Sequence, residues 1–408
     1  MASSPKTKVA LVLSGGGARG AYEAGVLAHL FEKIWPRLRP GSEFHVVSGT
    51  SVGAIHAAYV AASAHLDPAV RTRRLADTWR AMEVRRVIDF SARDLLGIPL
   101  RALGITRQHR RQRGDVLGGL VDVAPLERIV AERIPWDRMR ENLDRSGPRA
   151  LCVSCTEVRT GRVTVFMDGT LADPAPWSFD PNAQAVCGEI TARHVRASAA
   201  IPFLFPAVRI DDRYYVDGGL RMNTPLSPAL RLGADRILVV ALKHPVHPSA
   251  THAPYSDEVI TQPAFLLGKV LNALLLDQLE VELRQLELVN SLLARGLEVY
   301  GPGFLEKINV AVRARRGVGY REVETVVVRP SQDVGQLAAQ SFRREGGRRS
   351  LGVLPGLLSR LATSGVPEDE ADLLSYLLFD RCFTGALVEL GRADAAARED
   401  EIVELLGG

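Results

Sequence analysis

The sequence predicts an α/β protein built on a mostly parallel central sheet. Three observations carry that prediction. Val9–Leu13 is a short apolar run closed by glycines, as in a strand covered on both faces. A helical pattern follows, and then a second strand-like run at residues 44–48, closed by another glycine turn. The order strand, turn, helix, strand, turn, helix is that of parallel strands joined by crossover helices.

The elements follow in order. Gly15 to Gly20 is a glycine-rich turn. Val26, Leu27, Leu30, Phe31 and Ile34 have helical spacing over residues 21–35, and Pro36 and Pro40 stop that helix. The turn at residues 49–53 opens into an alanine-rich helix over 54–64. Residues 67–144 read as helical and arginine-rich, with Pro and Gly breaks. Residues 150–157 and 163–166 read as neighbouring strands joined at Thr160-Gly161. A helix over 190–199 is closed by Pro202, and strand 214–216 leads into Asp217-Gly218-Gly219. Residues 236–242 and 325–329 are the last expected strands.

Between those two strands, residues 264–294 read as one long helix. Leu267, Leu271, Leu274, Leu275, Leu279, Leu286, Val289 and Leu293 fall mostly on one stripe. The stripe is expected to pack on the core or on a second copy of the chain, as a homodimer. A helix lying in a bilayer interface is the alternative. From Val334 onward the pattern is that of covering helices.

Four units are expected: a disordered stretch 1–7, a catalytic core 8–243, the long helix and last strand completing that core over 244–330, and a helical cover 331–408. A chain of 408 residues, 46% hydrophobic and 24% charged, has ample material for a large core, which excludes wholesale disorder. A net charge of +4 does not point to nucleic acid. Positive charge is clustered, however: Arg101, Arg107, Arg110, Arg111 and Arg113, then Arg343, Arg344, Arg348 and Arg349. These read as solvated loops or as a patch for anionic lipid headgroups. Cys152, Cys155, Cys187 and Cys382 are too few for a disulfide scaffold, and the pair in strand 150–157 reads as buried thiols. The apolar run at Val9–Leu13 is too short for a signal-peptide core, and no run of 18 apolar residues is present. The expectation is a cytoplasmic protein that touches membranes peripherally.

Gly49-Thr50-Ser51-Val52-Gly53 matches G-x-S-x-G between a strand and a helix. That sharp turn lifts a serine hydroxyl out of a sheet and sets amides at a helix N-terminus beside it. Ser51 is therefore the candidate nucleophile, and Gly49 and Gly53 make the turn. Gly15-Gly16-Gly17-Ala18-Arg19-Gly20 has two readings. It fits the dinucleotide pattern G-x-G-x-x-G, but that pattern wants a carboxylate closing the second strand, and Val47-Ser48-Gly49 supplies none. The other reading is an oxyanion hole of Gly15, Gly16 and Gly17 amides, with Arg19 adding charge or forming a structural ion pair. Parallel strands end on one side of the sheet, so both turns would meet at Ser51. For the base, Asp217 stands at a strand end before Gly218 and Gly219, though Asp-Gly is also an ordinary turn.

These motifs together resemble the patatin-like phospholipase family: Gly15 to Gly20, Gly49 to Gly53, then Asp217-Gly218-Gly219, preceded by Ala197-Ser-Ala-Ala-Ile-Pro-Phe-Leu-Phe-Pro206. The resemblance spans about residues 8–243. It implies a three-layer α/β/α core, a dyad in which Asp217 activates Ser51 without histidine, and the glycine loop as oxyanion hole. Lipid acyl esters such as phospholipids or lysophospholipids are the implied substrates, and no cofactor or metal is implied.

Three rival readings remain at this point. A Ser-His-Asp triad could draw on His244, His247 or His252, while His56 lies five residues past Ser51 on the elbow helix, too far round to be an obvious partner. A non-catalytic lipid-binding protein would keep the fold alone. An acyltransferase or thioesterase would share the acyl-enzyme.

Overall fold

A computed structural model describes residues 7–39, 42–80, 82, 116–117, 123–202, 204–244, 279–344 and 372–407. Some expectations fall outside these residues. They are the N-terminal stretch up to residue 6, the cluster from Arg101 to Arg113, His247 and His252, residues 264–278 of the long helix, and Arg348 and Arg349. The side chains of Arg343 and Arg344 lie outside as well.

The described residues form one ten-stranded sheet. Its parallel centre runs β10 (Glu324–Val328), β9 (Arg236–Val240), β1 (Val9–Leu13), β2 (Val46–Thr50), β4 (Ala150–Glu157). The antiparallel strands β8 (Arg213–Asp217), β7 (Ala207–Ile210) and β3 (Val116–Leu117) extend it. β5 (Val163–Asp168) pairs antiparallel with β4, and β6 (Ala183–Cys187) pairs with β5.

β3, β6 and β7 are strands that the sequence pattern did not announce. β3 lies inside the stretch read as helical, and two residues leave no periodicity to detect. β6 is a half-exposed strand at the branch's rim, so it lacks an apolar run.

Strands β1 and β9 present alternate residues to two covered faces, which is why they read as nearly continuous apolar runs. On one face, Leu11 and Leu13 join a core with α1 (Gly20–His29), α2 (Val52–Ala62), α3 (Pro68–Arg80) and α4 (Ala124–Arg133). The helix α5 (Ala192–Ser198) adds Val195 to that layer. On the other face, Ala10 and Val12 meet α6 (Leu226–Arg231) and α7 (Leu279–Tyr300). The result is three layers, α/β/α.

The helix α7 runs on to Tyr300, beyond the expected end at 294. Leu279, Leu283 and Leu293 face inward, whereas Val281, Leu288, Leu292 and Val299 are exposed on its opposite side. The helix α8 (Phe304–Arg316) follows it. The C-terminal helices α9 (Val334–Arg344), α10 (Asp372–Leu377), α11 (Arg381–Ala397) and α12 (Glu399–Leu406) join the first layer. There α11 lies along α1, and Tyr22 donates to Asp394 at 3.0 Å. Cys152 and Cys155 are buried thiols. Among the described residues no helix is long and apolar enough to cross a membrane.

Candidate active site

One strand sets the geometry of the site. β2 ends against β4 at Thr50, which pairs with Ser154. β8 runs the other way and ends at Asp217, which pairs with the next residue, Cys155. The two strand ends therefore meet along a single edge of β4. Ser51 leaves β2 in a turn with φ 55° and ψ −123°, a conformation that costs a non-glycine residue of order 1–3 kcal/mol. Crowding accounts for the flanking glycines. A Cβ on Gly49 would lie 2.2 Å from the Gly53 carbonyl oxygen, and one on Gly53 would lie 2.3 Å from that of Leu13.

The strained turn is braced from several sides. Ser198 accepts from the Ser51 amide at 2.9 Å. Thr50 donates to the Met222 carbonyl at 2.8 Å, and Ser48 to the Pro225 carbonyl at 2.7 Å. Ser14 bonds to Thr224 at 2.7 Å. Hydroxyls at the ends of β1 and β2 thus fasten the chain that follows Asp217.

Ser51 Oγ donates directly to Asp217 Oδ2 at 2.7 Å, and the Gly219 amide donates to Asp217 Oδ1 at 2.7 Å. Both groups are buried, with Ser51 6% and Asp217 1% exposed. Burial pushes the Asp217 carboxyl up to about 6, against the pull of its bonds to Ser51 and Gly219. Gly218 packs against the Ser154 carbonyl. No histidine stands between the two groups. The His244 ring is bonded to the Pro330 carbonyl at 2.9 Å, and the His56 ring to Glu23 and Trp79.

The first glycine loop lies beside Ser51, since a Cβ on Gly15 would come within 3.2 Å of Ser51 Cβ. The Gly15 amide is already spent on the Asn223 carbonyl at 3.0 Å, and Asn223 Nδ2 donates back to Gly15 at 3.1 Å. Gly16 packs on Leu242, Gly17 on the Tyr376 carbonyl, and Gly20 on Val52. Arg19 is buried. Its Nε donates to Ser375 at 2.7 Å, and its guanidinium lies 4.2 Å from the Tyr376 ring centre. The C-terminal segment thus clasps the loop through Arg19.

A pocket of about 840 Å³, its solvent-filled mouth included, opens at Ser51. Val52, Ile55, His56 and Tyr59 line it from α2, and Leu75, Thr78, Trp79 and Met82 from α3 and the residues after it. Each set follows i, i+3, i+4, i+7, one face of a helix. Leu126 and Ile129 of α4, Phe205, and Tyr376 and Phe379 near α10 complete the walls. The lining is almost wholly apolar. Sequence reasoning missed Ser198, Asn223 and this pocket. Ser198 stands in the quoted Ala197-to-Pro206 segment, but only the fold shows that its hydroxyl meets Ser51.

Comparison with known proteins shows what the chain is similar to. A family model described as Patatin-like phospholipase matches residues 11–230. A protein named cGAMP-activated phospholipase, from Pseudomonas aeruginosa (strain BWHPSA011 / Pa011), is 30% identical over 218 residues. That match covers 53% of this chain and 53% of the relative, so it spans about half the relative's length. The crystal structure of VipD from Legionella pneumophila is similar at 14% identity and TM-score 0.35, over 98% of this chain and 68% of that one. Human GIVD cytosolic phospholipase A2, in complex with methyl gamma-linolenyl fluorophosphonate, is similar at 13% identity and TM-score 0.41. Here 98% of this chain and 58% of that chain are covered.

Proposed function

Because the chain belongs to the patatin-like phospholipase family, we propose that it hydrolyses fatty acyl esters of phospholipids, lysophospholipids or related lipids through Ser51 and Asp217. The observation that carries this reading is the 2.7 Å bond from Ser51 Oγ to a buried carboxylate, in a strained turn at the mouth of an apolar pocket.

The chemistry follows from the residues. Ser51 Oγ attacks the ester carbonyl carbon while Asp217 takes its proton. Negative charge on the former carbonyl oxygen is met by the Gly16 and Gly17 amides and by the N-terminus of α2, since the Gly15 amide is engaged elsewhere. Asp217 returns the proton to the departing alkoxide, leaving an acyl-Ser51 ester. Water then gives a proton to Asp217 and attacks the acyl carbon. The Ser51–acyl bond breaks, the fatty acid leaves, and Ser51 regains its proton.

The acyl chain would lie in the apolar pocket, and the headgroup outside it. Lipid is thus the proposed partner, met at a membrane surface without insertion. Homodimer formation through α7 remains a separate proposal, supported by its exposed Leu288 and Leu292.

The test is incubation with a mixed lipid panel, reading released fatty acids by mass spectrometry. Release by wild type, with loss in Ser51→Ala and Asp217→Asn, supports the reading. Wild-type rates in both variants would overturn it.

A further inference from the structure

The pocket wall contains a polar chain that the chemistry above does not use. Glu23, His56 and Trp79 come from α1, α2 and α3 and are buried. Glu23 Oε2 lies 2.7 Å from His56 Nδ1, and Trp79 Nε1 donates to His56 Nε2 at 2.8 Å. An indole nitrogen can only donate, so His56 Nε2 must accept. The proton of the neutral ring is then on Nδ1, and it is donated to Glu23. An imidazolium would carry protons on both nitrogens and oppose the indole. Burial acts in the same direction, lowering His56 to about 3 and raising Glu23 well above the usual carboxylate range.

This chain holds the indole at defined points. Its N–H is bound to His56, and its ring stacks with Phe379 at 6.3 Å and 15°. Its benzo edge lies against Gly20, where a Cβ would come within 3.0 Å of Cζ2 and 2.3 Å of Val52 Cγ2. Val52 directly follows Ser51. The ring is therefore fixed in the wall of the pocket that opens at Ser51.

We propose that Trp79 determines which acyl chains the pocket accepts, and that His56 and Glu23 are positioning residues that fix its indole. This rests on the hydrolase reading above. A large ring locked in place limits the room for a chain passing Ser51. A neutral acceptor behind it satisfies the indole N–H, so the wall stays effectively apolar.

The experiment measures kcat/KM for p-nitrophenyl butyrate, octanoate and palmitate, with fluorophosphonate labelling of Ser51 as the check on an intact site. Trp79→Leu should raise the palmitate-to-octanoate ratio by about tenfold or more, the scale of a few methylenes gained in an apolar pocket. His56→Leu leaves the indole N–H without its acceptor and should shift the same ratio. Trp79→Phe has no N–H to satisfy, so the double variant His56→Leu/Trp79→Phe should keep the ratio of Trp79→Phe alone. A Trp79→Leu protein that labels normally and keeps the wild-type ratio overturns the proposal. If that variant fails to fold, the His56→Leu protein and the double variant decide. An unshifted ratio in His56→Leu, or a double-variant ratio that departs from that of Trp79→Phe alone, overturns the positioning role. A wild-type chain that neither cleaves an ester nor takes the label removes the hydrolase reading instead, and this proposal with it.

Discussion

The side chain of Ser198 holds the main chain of Ser51. Its hydroxyl accepts the Ser51 amide at 2.9 Å and donates to the Ser154 carbonyl at 2.6 Å. One buried hydroxyl thus ties the Ser51 turn to the strand that carries both strand ends.

Ser198→Ala leaves that amide and that carbonyl without this partner, which costs about 1–3 kcal/mol. The expected outcome is a lower Tm by calorimetry together with a lower kcat, because Ser51 can relax from its left-handed backbone. Unchanged values of both would show that the hydroxyl is dispensable.

Asp217 couples activity and stability with opposite signs. As a base it works only when ionised, so kcat/KM should rise through about pH 6 and level off above it. The stability effect follows from proton binding. The folded carboxyl holds its proton up to about 6, the unfolded one only to near 3.8, so the folded state binds more protons between those values. Stability from this group therefore falls as pH rises through that window, by roughly 3 kcal/mol at its upper end. Asp217→Asn keeps an acceptor for Gly219 and an amide for Ser51 Oγ, without the buried charge. It should melt higher than wild type at pH 8 while losing on the order of 10³–10⁴-fold in kcat. An equal or lower Tm at pH 8 would contradict the burial argument.

Arg19 was expected near the oxyanion, with a structural ion pair as the alternative. Its guanidinium is engaged by Ser375 and Tyr376. Arg19→Ala and Ser375→Ala should each lower the Tm. Their effects should fall short of additive by about 0.5–3 kcal/mol, as for two residues sharing one contact. Strict additivity would uncouple the loop from the C-terminal segment.

Much of this site can be read from the chain itself. The glycines around Ser51 and the Asp217-Gly218-Gly219 turn announce themselves because special backbone needs leave special residues. Strands β1 and β9 are legible because burial on both faces demands unbroken apolar runs. β7 and β8 form a hairpin around Asp211 and Asp212, with Asp211 at φ 52°. Its first strand escaped notice because Asp-Asp is a weaker hairpin signal than Asn-Gly. The pocket was not legible, since it needs helices from distant parts of the chain to turn matching faces toward one point. Nor was Ser198, because a serine in an Ala-rich helix end looks the same whether or not its hydroxyl braces a neighbour.

The meeting of β2 and β8 on neighbouring residues of β4 also bears on how the chain matures. Serine and aspartate are 166 residues apart in sequence, yet strand pairing on β4 brings them together. A slip of β8 by one residue would move Asp217 by about 3.3 Å and turn it to the other face of the sheet. Such a misregistered chain could still bury its core. Titration of Ser51 with an activity-based probe would then count correctly registered molecules, and would separate folding fidelity from compactness in any preparation of this protein.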